Sequence, residues 1–382
     1  MKKAILIIVS LILIFSGIYG TYYFSRIKSA EYSINSAILE LKSGNYDKAI
    51  TILKNVIADY DYCIVRFPSL YLIGRTFEEK KNYKSALAAY KELLLSKKEG
   101  ILSGNWKYLA LISVSRLYRN NLVQASETQK TILEKYIIKV KKGIEEKLRQ
   151  EKESKATKAL KNFYKNILTL NYSLNIKDRT LEEILTDLET ELGFLYIATG
   201  DLKSAQNILS NLNNFNAKYG LSTVLYKLGK KGEAIKLLES IMDEDPTGKI
   251  KKEYIKKSYN YAVNLYKNKN YTRALKYFKK ISGYKRFPEY YENSLYYIGN
   301  YYFNKGNLSS ALYYFKKIIS NSYKIKDEEA TFNIGLIYYD KKDYIHAYKT
   351  FREFIKNYPR SKKINDAKSW MDICERSIKY FN

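Results

Sequence analysis

The chain has 382 residues, 46% of them hydrophobic, with only 4 prolines and 17 glycines, a balance that excludes a disordered or collagen-like chain and favours helices. Lys and Arg number 67 against 39 Asp and Glu, for a net charge of +28. One histidine, and two cysteines 311 residues apart, exclude His-rich metal sites and Cys-x-x-Cys zinc or redox motifs.

Met1, Lys2 and Lys3 precede an uncharged apolar run from Ala4 to Phe24, and Arg26 and Lys28 follow it. At about 1.5 Å per residue this run spans roughly 31 Å, enough to cross a hydrocarbon core. Tyr19, Tyr22, Tyr23 and Phe24 would form an aromatic belt at the far interface. Residues 1–28 read as an uncleaved signal anchor. The alternative is a cleaved signal peptide, which calls for a shorter apolar core of ~7–15 residues and an Ala-x-Ala-like site. Only Ser16-Gly17 or Ile18-Tyr19-Gly20 offers small residues here. The lysines ahead of the run favour a short cytoplasmic tail, which places the protein in the inner membrane as a single-pass chain with its bulk periplasmic or extracytoplasmic.

From residue 29 onward apolar residues recur at spacings of three, four and seven, one face of an α-helix, and short Gly/Asn/Lys/Asp turns divide the stretches into helix hairpins. The first is marked by Ala37, Leu41, Gly44, Tyr46, Ala49 and Leu53, the second by Leu70, Ile73, Gly74, Tyr83, Ala86 and Tyr90. A third, from Trp106 to Tyr136, is degenerate, with Gln129 where an aromatic belongs. Residues 136–182 read as a charged helical insert, solvated and laced by i,i+4 pairs such as Glu145–Arg149 and Glu151–Lys155. Hairpins resume with Leu188, Leu192, Gly193, Ala205 and Leu209, then a compressed copy from Leu221 to Ile241 and another from Tyr254 to Ile281. The clearest copies follow. Leu295, Ile298, Gly299, Tyr302, Gly306, Ala311 and Phe315 are answered 36 residues later by Thr331, Ile334, Gly335, Tyr338, Lys342, Ala347 and Phe351. The chain therefore divides into N-terminal hairpins over 29–135, the insert, a second array over 183–359, and a capping helix over 360–382.

These copies resemble the tetratricopeptide repeat, which asks for a large apolar residue, Leu-small and an aromatic on its first helix, Gly and an aromatic at its turn, and Ala, an aromatic and a closing Pro on its second. Gly299 and Gly335 let the second helix cross closely, with Ala311 and Ala347 facing them and Tyr302 and Tyr338 filling the space beside the crossing. The resemblance implies an all-α fold, a right-handed α-solenoid of helix hairpins behind the N-terminal transmembrane helix. It also implies a non-enzymatic protein-protein interaction scaffold that takes peptide or partner segments in a concave groove lined by the first helices. Tyr358-Pro359-Arg360-Ser361 and the capping helix resemble the ending of repeat proteins that serve envelope assembly, which makes envelope proteins the expected partners.

By helical spacing the exposed face of the groove carries Tyr259, Asn260 and Tyr266, then Tyr296, Tyr297 and Asn300, then Phe332, Asn333 and Tyr339. Asparagines there can bond an extended peptide backbone, and tyrosines give broad contact area at little entropy cost. The alternative for the rings is packing against the adjacent repeat. Residues 247–326 hold 18 Lys/Arg, 3 acids and 16 of the 40 tyrosines. Such a segment suits an acidic partner or anionic lipid headgroups, unless it reflects composition alone. A cytoplasm-facing regulatory or nucleic-acid-binding module using 247–326 is the competing reading, disfavoured by the anchor. No phosphate-binding loop, dinucleotide fingerprint or nucleophile elbow occurs, and His346 opens a helix as a surface residue, so neither enzyme activity nor a cofactor or metal is expected.

Overall fold

The computed structural model describes the backbone of residues 2–60, 63–96, 105–151 and 179–381, and side chains over 18–60, 64–96, 105–149 and 179–379. Among the described residues there are helices and turns and no strand. In chain order the helices are α1 (Lys2–Lys42), α2 (Tyr46–Asp59), α3 (Cys63–Glu79), α4 (Tyr83–Leu95), α5 (Trp106–Arg119), α6 (Glu127–Glu151), α7 (Leu181–Thr199), α8 (Leu202–Leu209) and α9 (Phe215–Lys227). They continue as α10 (Lys231–Ile241), α11 (Lys249–Lys267), α12 (Tyr271–Ile281), α13 (Pro288–Asn304), α14 (Leu308–Ile319), α15 (Asp327–Asp340), α16 (Tyr344–Asn357) and α17 (Ile364–Phe381).

The turn inside a hairpin is built the same way at six places. One residue takes a left-handed conformation, Gly44, Gly200 and Gly306 at φ 80°, 85° and 73°, but Lys81, Lys269 and Lys342 at about the same angle. Glycine suits this position without being required, which is why Lys342 stands where the preceding copy has Gly306. The residue directly after it is the N-cap of the second helix. Asn82, Asp201, Asn307 and Asp343 each accept a hydrogen bond from the backbone N–H three residues on, satisfying a donor that the helix itself leaves open.

The chain forms two compact units, Met1–Val224 and Leu225–Asn382. In the first, α1 and α2 share a core of Ile27, Ile34, Ile38, Leu53 and Val56 with Val65 and Leu72 of α3. A larger core follows, in which Tyr90 and Leu93 meet Leu109, Ile112 and Leu117, and these meet Ile137, Ile144, Leu188 and Leu192. Helix α6 runs unbroken across the expected boundary at 136, with Ile137 and Ile144 fully buried. Lys141 reaches Glu189 of α7 at 2.7 Å and Glu145 at 3.8 Å. Residues 136–149 thus pack by one face, where their sparse apolar residues fall, and keep Tyr136, Lys139, Lys142, Glu146, Lys147 and Arg149 exposed on the other; residues 152–178, with Lys155 of the expected Glu151–Lys155 pair, lie outside the described residues. The expected anchor over 4–24 also falls mostly outside the described side chains. Among the described residues no helix is long and apolar enough to cross a membrane.

In the second unit each helix packs on its predecessor. Ala262, Ala274 and Phe278 meet Ile298; Leu295, Ala311, Phe315 and Ile318 meet Ile334 and Ile337; Phe332, Ala347, Phe351 and Phe354 meet Ala367 and Cys374 of α17. Helix α17 covers the last apolar face, and burial pushes the Cys374 thiol up to about 11. The side chain of Cys63 lies outside the described residues. The notches at Gly299 and Gly335 are filled by Phe315 and Phe351, one turn beyond the Ala311 and Ala347 expected to face them. Tyr302 stacks on Tyr314 at 5.7 Å, and Tyr338 on His346 at 5.3 Å, both beside the crossing as expected.

Candidate partner-binding face

Helices α11, α13 and α15 are the first helices of three consecutive hairpins in the second unit, and their side chains touch directly. Asn333 Nδ2 donates to Asn300 Oδ1 at 3.3 Å. The Tyr297 ring lies 5.1 Å from Tyr266 and 6.4 Å from Tyr259, edge to face in both cases. First helices of neighbouring repeats therefore lie side by side and make one continuous face, as stacked hairpins require when each must cover the flank of the next.

The nine residues expected on this face divide by depth. Asn260 is exposed. Tyr259, Tyr266, Tyr296, Tyr297, Asn300 and Tyr339 are half-buried, because their rings or amides are engaged by neighbours. Tyr297 stacks on Phe278 at 4.7 Å, with 4° between the planes. Tyr296 leans on Phe315 at 5.9 Å, with Lys326 Nζ 5.5 Å from its ring. Tyr339 sits 5.4 Å from Tyr344 and 4.9 Å from Trp370. Phe332 and Asn333 were expected to be exposed and are not, at 7% and 9% of their surface. The Phe332 ring lies 5.6 Å from Phe351 and 5.5 Å from Phe354, with Lys363 Nζ 4.6 Å above it, so it belongs to the core. Asn264 is exposed one turn beyond Asn260 on the same stripe and is bonded by Asn268 Nδ2 at 3.3 Å. Its i,i+4 spacing from Asn260 was the available signal for it.

Burial, and then the neighbouring Tyr297, pushes the Tyr259 hydroxyl up. Tyr266 is raised likewise by burial and then by Tyr271. Both are neutral phenols at physiological pH, each able to donate one hydrogen bond and to accept others. The acids of 247–326 do little to offset its lysines. Glu253 pairs with Lys257 at 2.5 Å, and Glu292 is fully buried, accepting from the backbone N–H of Ile325 and of Lys326 at 2.8 Å. His346 is held by Asp343, whose carboxylate lies 2.9 Å from Nδ1 and also caps α16. Among the described residues no group of three or more His, Cys, Asp or Glu could hold a metal ion. What the face offers chemically is amides and phenols over a packed aromatic floor.

Tetratricopeptide repeat family models match residues 34–100 in the first unit and 293–323 and 329–361 in the second. Over those segments the chain matches the tetratricopeptide repeat, a module that commonly serves as a protein-protein interaction scaffold and is generally non-enzymatic. Among solved structures it is similar to a chain of the APC/C hetero-tetramer Cut9–Hcn1, at 12% identity and TM-score 0.31, over 90% of this chain and 83% of that one. It is also similar to PilF of Pseudomonas aeruginosa, at 16% identity and TM-score 0.27, over 51% of this chain and 91% of that one. A tetratricopeptide repeat protein from Parabacteroides merdae resembles it at 12% identity and TM-score 0.29, over 91% of this chain and 99% of that one. No curated protein matches the chain.

Proposed function

We propose that this protein is a scaffold of the bacterial cell envelope, held in the inner membrane by residues 4–24, that captures an extended segment of an envelope protein on the first-helix face of its second unit. The observation that carries this reading is the contact of first helices across three repeats, through Asn300–Asn333 and the Tyr259, Tyr266 and Tyr297 rings. An extended peptide presents unpaired backbone N–H and C=O groups, and Asn260, Asn264 and Asn300 present amides that match both. The rings beneath are locked by each other, so little side-chain freedom is lost on binding. The uncharged run from Ala4 to Phe24 and its flanking cations support the anchor and its orientation.

The competing nucleic-acid reading of 247–326 is weakened by the same packing. Its tyrosines largely pack on one another, edge to face in Tyr259–Tyr290 and Tyr261–Tyr277 and stacked in Tyr302–Tyr314, leaving few free faces for bases. Two experiments test the proposal. Reporter domains fused after residue 30 should be active outside the cytoplasm; activity only inside would invert the topology. The double variant Asn260→Ala, Asn300→Ala should weaken partner capture at least tenfold with helicity unchanged, and undiminished capture would remove the face from the mechanism.

A further inference from the structure

The loops joining one hairpin to the next in the second unit, 242–248, 282–287, 320–326 and 358–363, recur at the same point of each repeat and so fall along one edge of that unit. The first exposes Asp243 and Glu244, and the other three expose Lys285 and Arg286, then Lys324, then Arg360 and Lys362. The corner at 320–326 adds something that charge alone does not explain. Tyr313 is 60% exposed, and Ile319, Tyr323 and Ile325 are 39%, 39% and 40% exposed. The first and third of these gather round one ring, since Tyr323 meets Tyr291 at 6.2 Å and both Tyr323 and Tyr313 help to push the Tyr291 hydroxyl up, after burial and Glu292.

The corner is built rather than loose. Asn321 Nδ2 donates to the carbonyl of Ile318 at 2.6 Å, and its Oδ1 accepts from the N–H of Tyr323 at 2.7 Å. Lys324 takes φ 57°, and Glu292 Oε2 fixes the N–H groups of Ile325 and Lys326. These ties hold the apolar side chains outward. Nearby acids are spent internally: Glu329 on Lys326 at 2.5 Å, Glu328 on Ser361 at 2.6 Å, and Asp327 buried. Lys324 is left exposed, Lys316 is exposed with its Nζ 5.6 Å from the Tyr338 ring, and Lys317 lies half-exposed with its Nζ 6.0 Å from the Tyr313 ring.

We propose that this corner docks on an anionic phospholipid surface, with Lys316, Lys317 and Lys324 against headgroup phosphates and Tyr313, Ile319, Tyr323 and Ile325 at the headgroup–acyl boundary. Lysine stems and tyrosines place apolar bodies and polar tips at that depth together. An acidic peptide would satisfy the lysines and leave Ile319 and Ile325 in water, whereas the interface satisfies both. This contact uses a different surface from the first-helix face and stands whether or not that face binds peptide.

The test uses the full chain carrying Tyr323→Trp, with the unsubstituted chain as background for its two native tryptophans. It is added to vesicles of brominated phosphatidylcholine, alone or with phosphatidylglycerol. The residue 323 signal should be quenched only when phosphatidylglycerol is present, and less so at high salt. Each lysine removed from the set Lys316→Gln, Lys317→Gln and Lys324→Gln should weaken that quenching about fivefold, with helicity unchanged. Quenching equal in both lipids, or indifferent to the lysine substitutions, would overturn the proposal. So would polyglutamate binding at this corner with no lipid quenching, which would assign it to an acidic polypeptide.

Discussion

A methyl group added at Gly299 would lie 2.7 Å from Cε1 of Phe315, and one added at Gly335 would lie 2.7 Å from Cε1 of Phe351. Both phenylalanines are fully buried, so neither ring can swing away. Gly299→Ala is therefore expected to cost about 1–3 kcal/mol of stability by urea unfolding, as overpacking does in a close-packed core. A neutral result would mean that the two helices slide apart without penalty. The need for a small residue was readable from its place in the repeat. Which residue of the second helix meets the notch was not, because Ala311 and Phe315 lie one turn apart on the same helix face, and only the crossing of the two helices decides between them. A second residue-scale effect lies in the first unit. Arg119 Nη1 stands 3.0 Å from Glu191 Oε1 and its guanidinium covers the Phe194 ring at 4.4 Å. Burial outweighs this pairing and pushes Glu191 up to about 7, with the Arg119 charge pulling the other way. The folded chain thus holds this proton more tightly than the unfolded chain, whose glutamate titrates near 4.5. The stability this contributes is fully present below about pH 4.5 and is lost as pH rises through about 7. Glu191→Gln should flatten the decline in urea midpoint across that window, and an unaltered slope would locate the pH dependence elsewhere.

At the scale of the element, the start of each first helix is tied back to the repeat before it. Glu292 in α13 receives the backbone N–H groups of Ile325 and Lys326, and Glu328, one period of 36 residues later, receives the Ser361 hydroxyl. Glu292→Ala would leave two part-buried donors open, at a cost of about 1 kcal/mol. Hydrogen exchange should then quicken at Ile325 and Lys326 before it does in the middle of α15, and uniform protection would contradict this role. The period was visible in the sequence, yet a glutamate near the start of a helix looks like an ordinary solvated acid. Helix α6 was obscured for a related reason. Its apolar residues are few, but Leu133, Ile137 and Ile144 fall on one stripe that α7 covers, so a charge-rich stretch still packs.

At the scale of the whole molecule, the spacing of Gly, Ala and aromatic residues specified hairpins in both units, because each hairpin has an apolar face that only its neighbour can cover. The candidate face was less legible. Exposure on a first helix depends on how far the next repeat overlaps it, and the overlap that brings Asn333 to Asn300 also submerges Phe332. Of the nine residues named, Asn260 and Asn300 are those with polar groups best placed to meet a ligand, and Asn264 joins them. The most direct measurement places a photo-activatable amino acid in the full-length chain in living cells, at Asn260 or Asn300 on first helices and at Arg273 or Lys276 on a second helix, followed by mass spectrometry. The first-helix positions should cross-link repeatedly to a segment of the same envelope protein, and the second-helix positions should not. Cross-links confined to Arg273 and Lys276, or made to cytoplasmic proteins or nucleic acid, would contradict the envelope-scaffold reading.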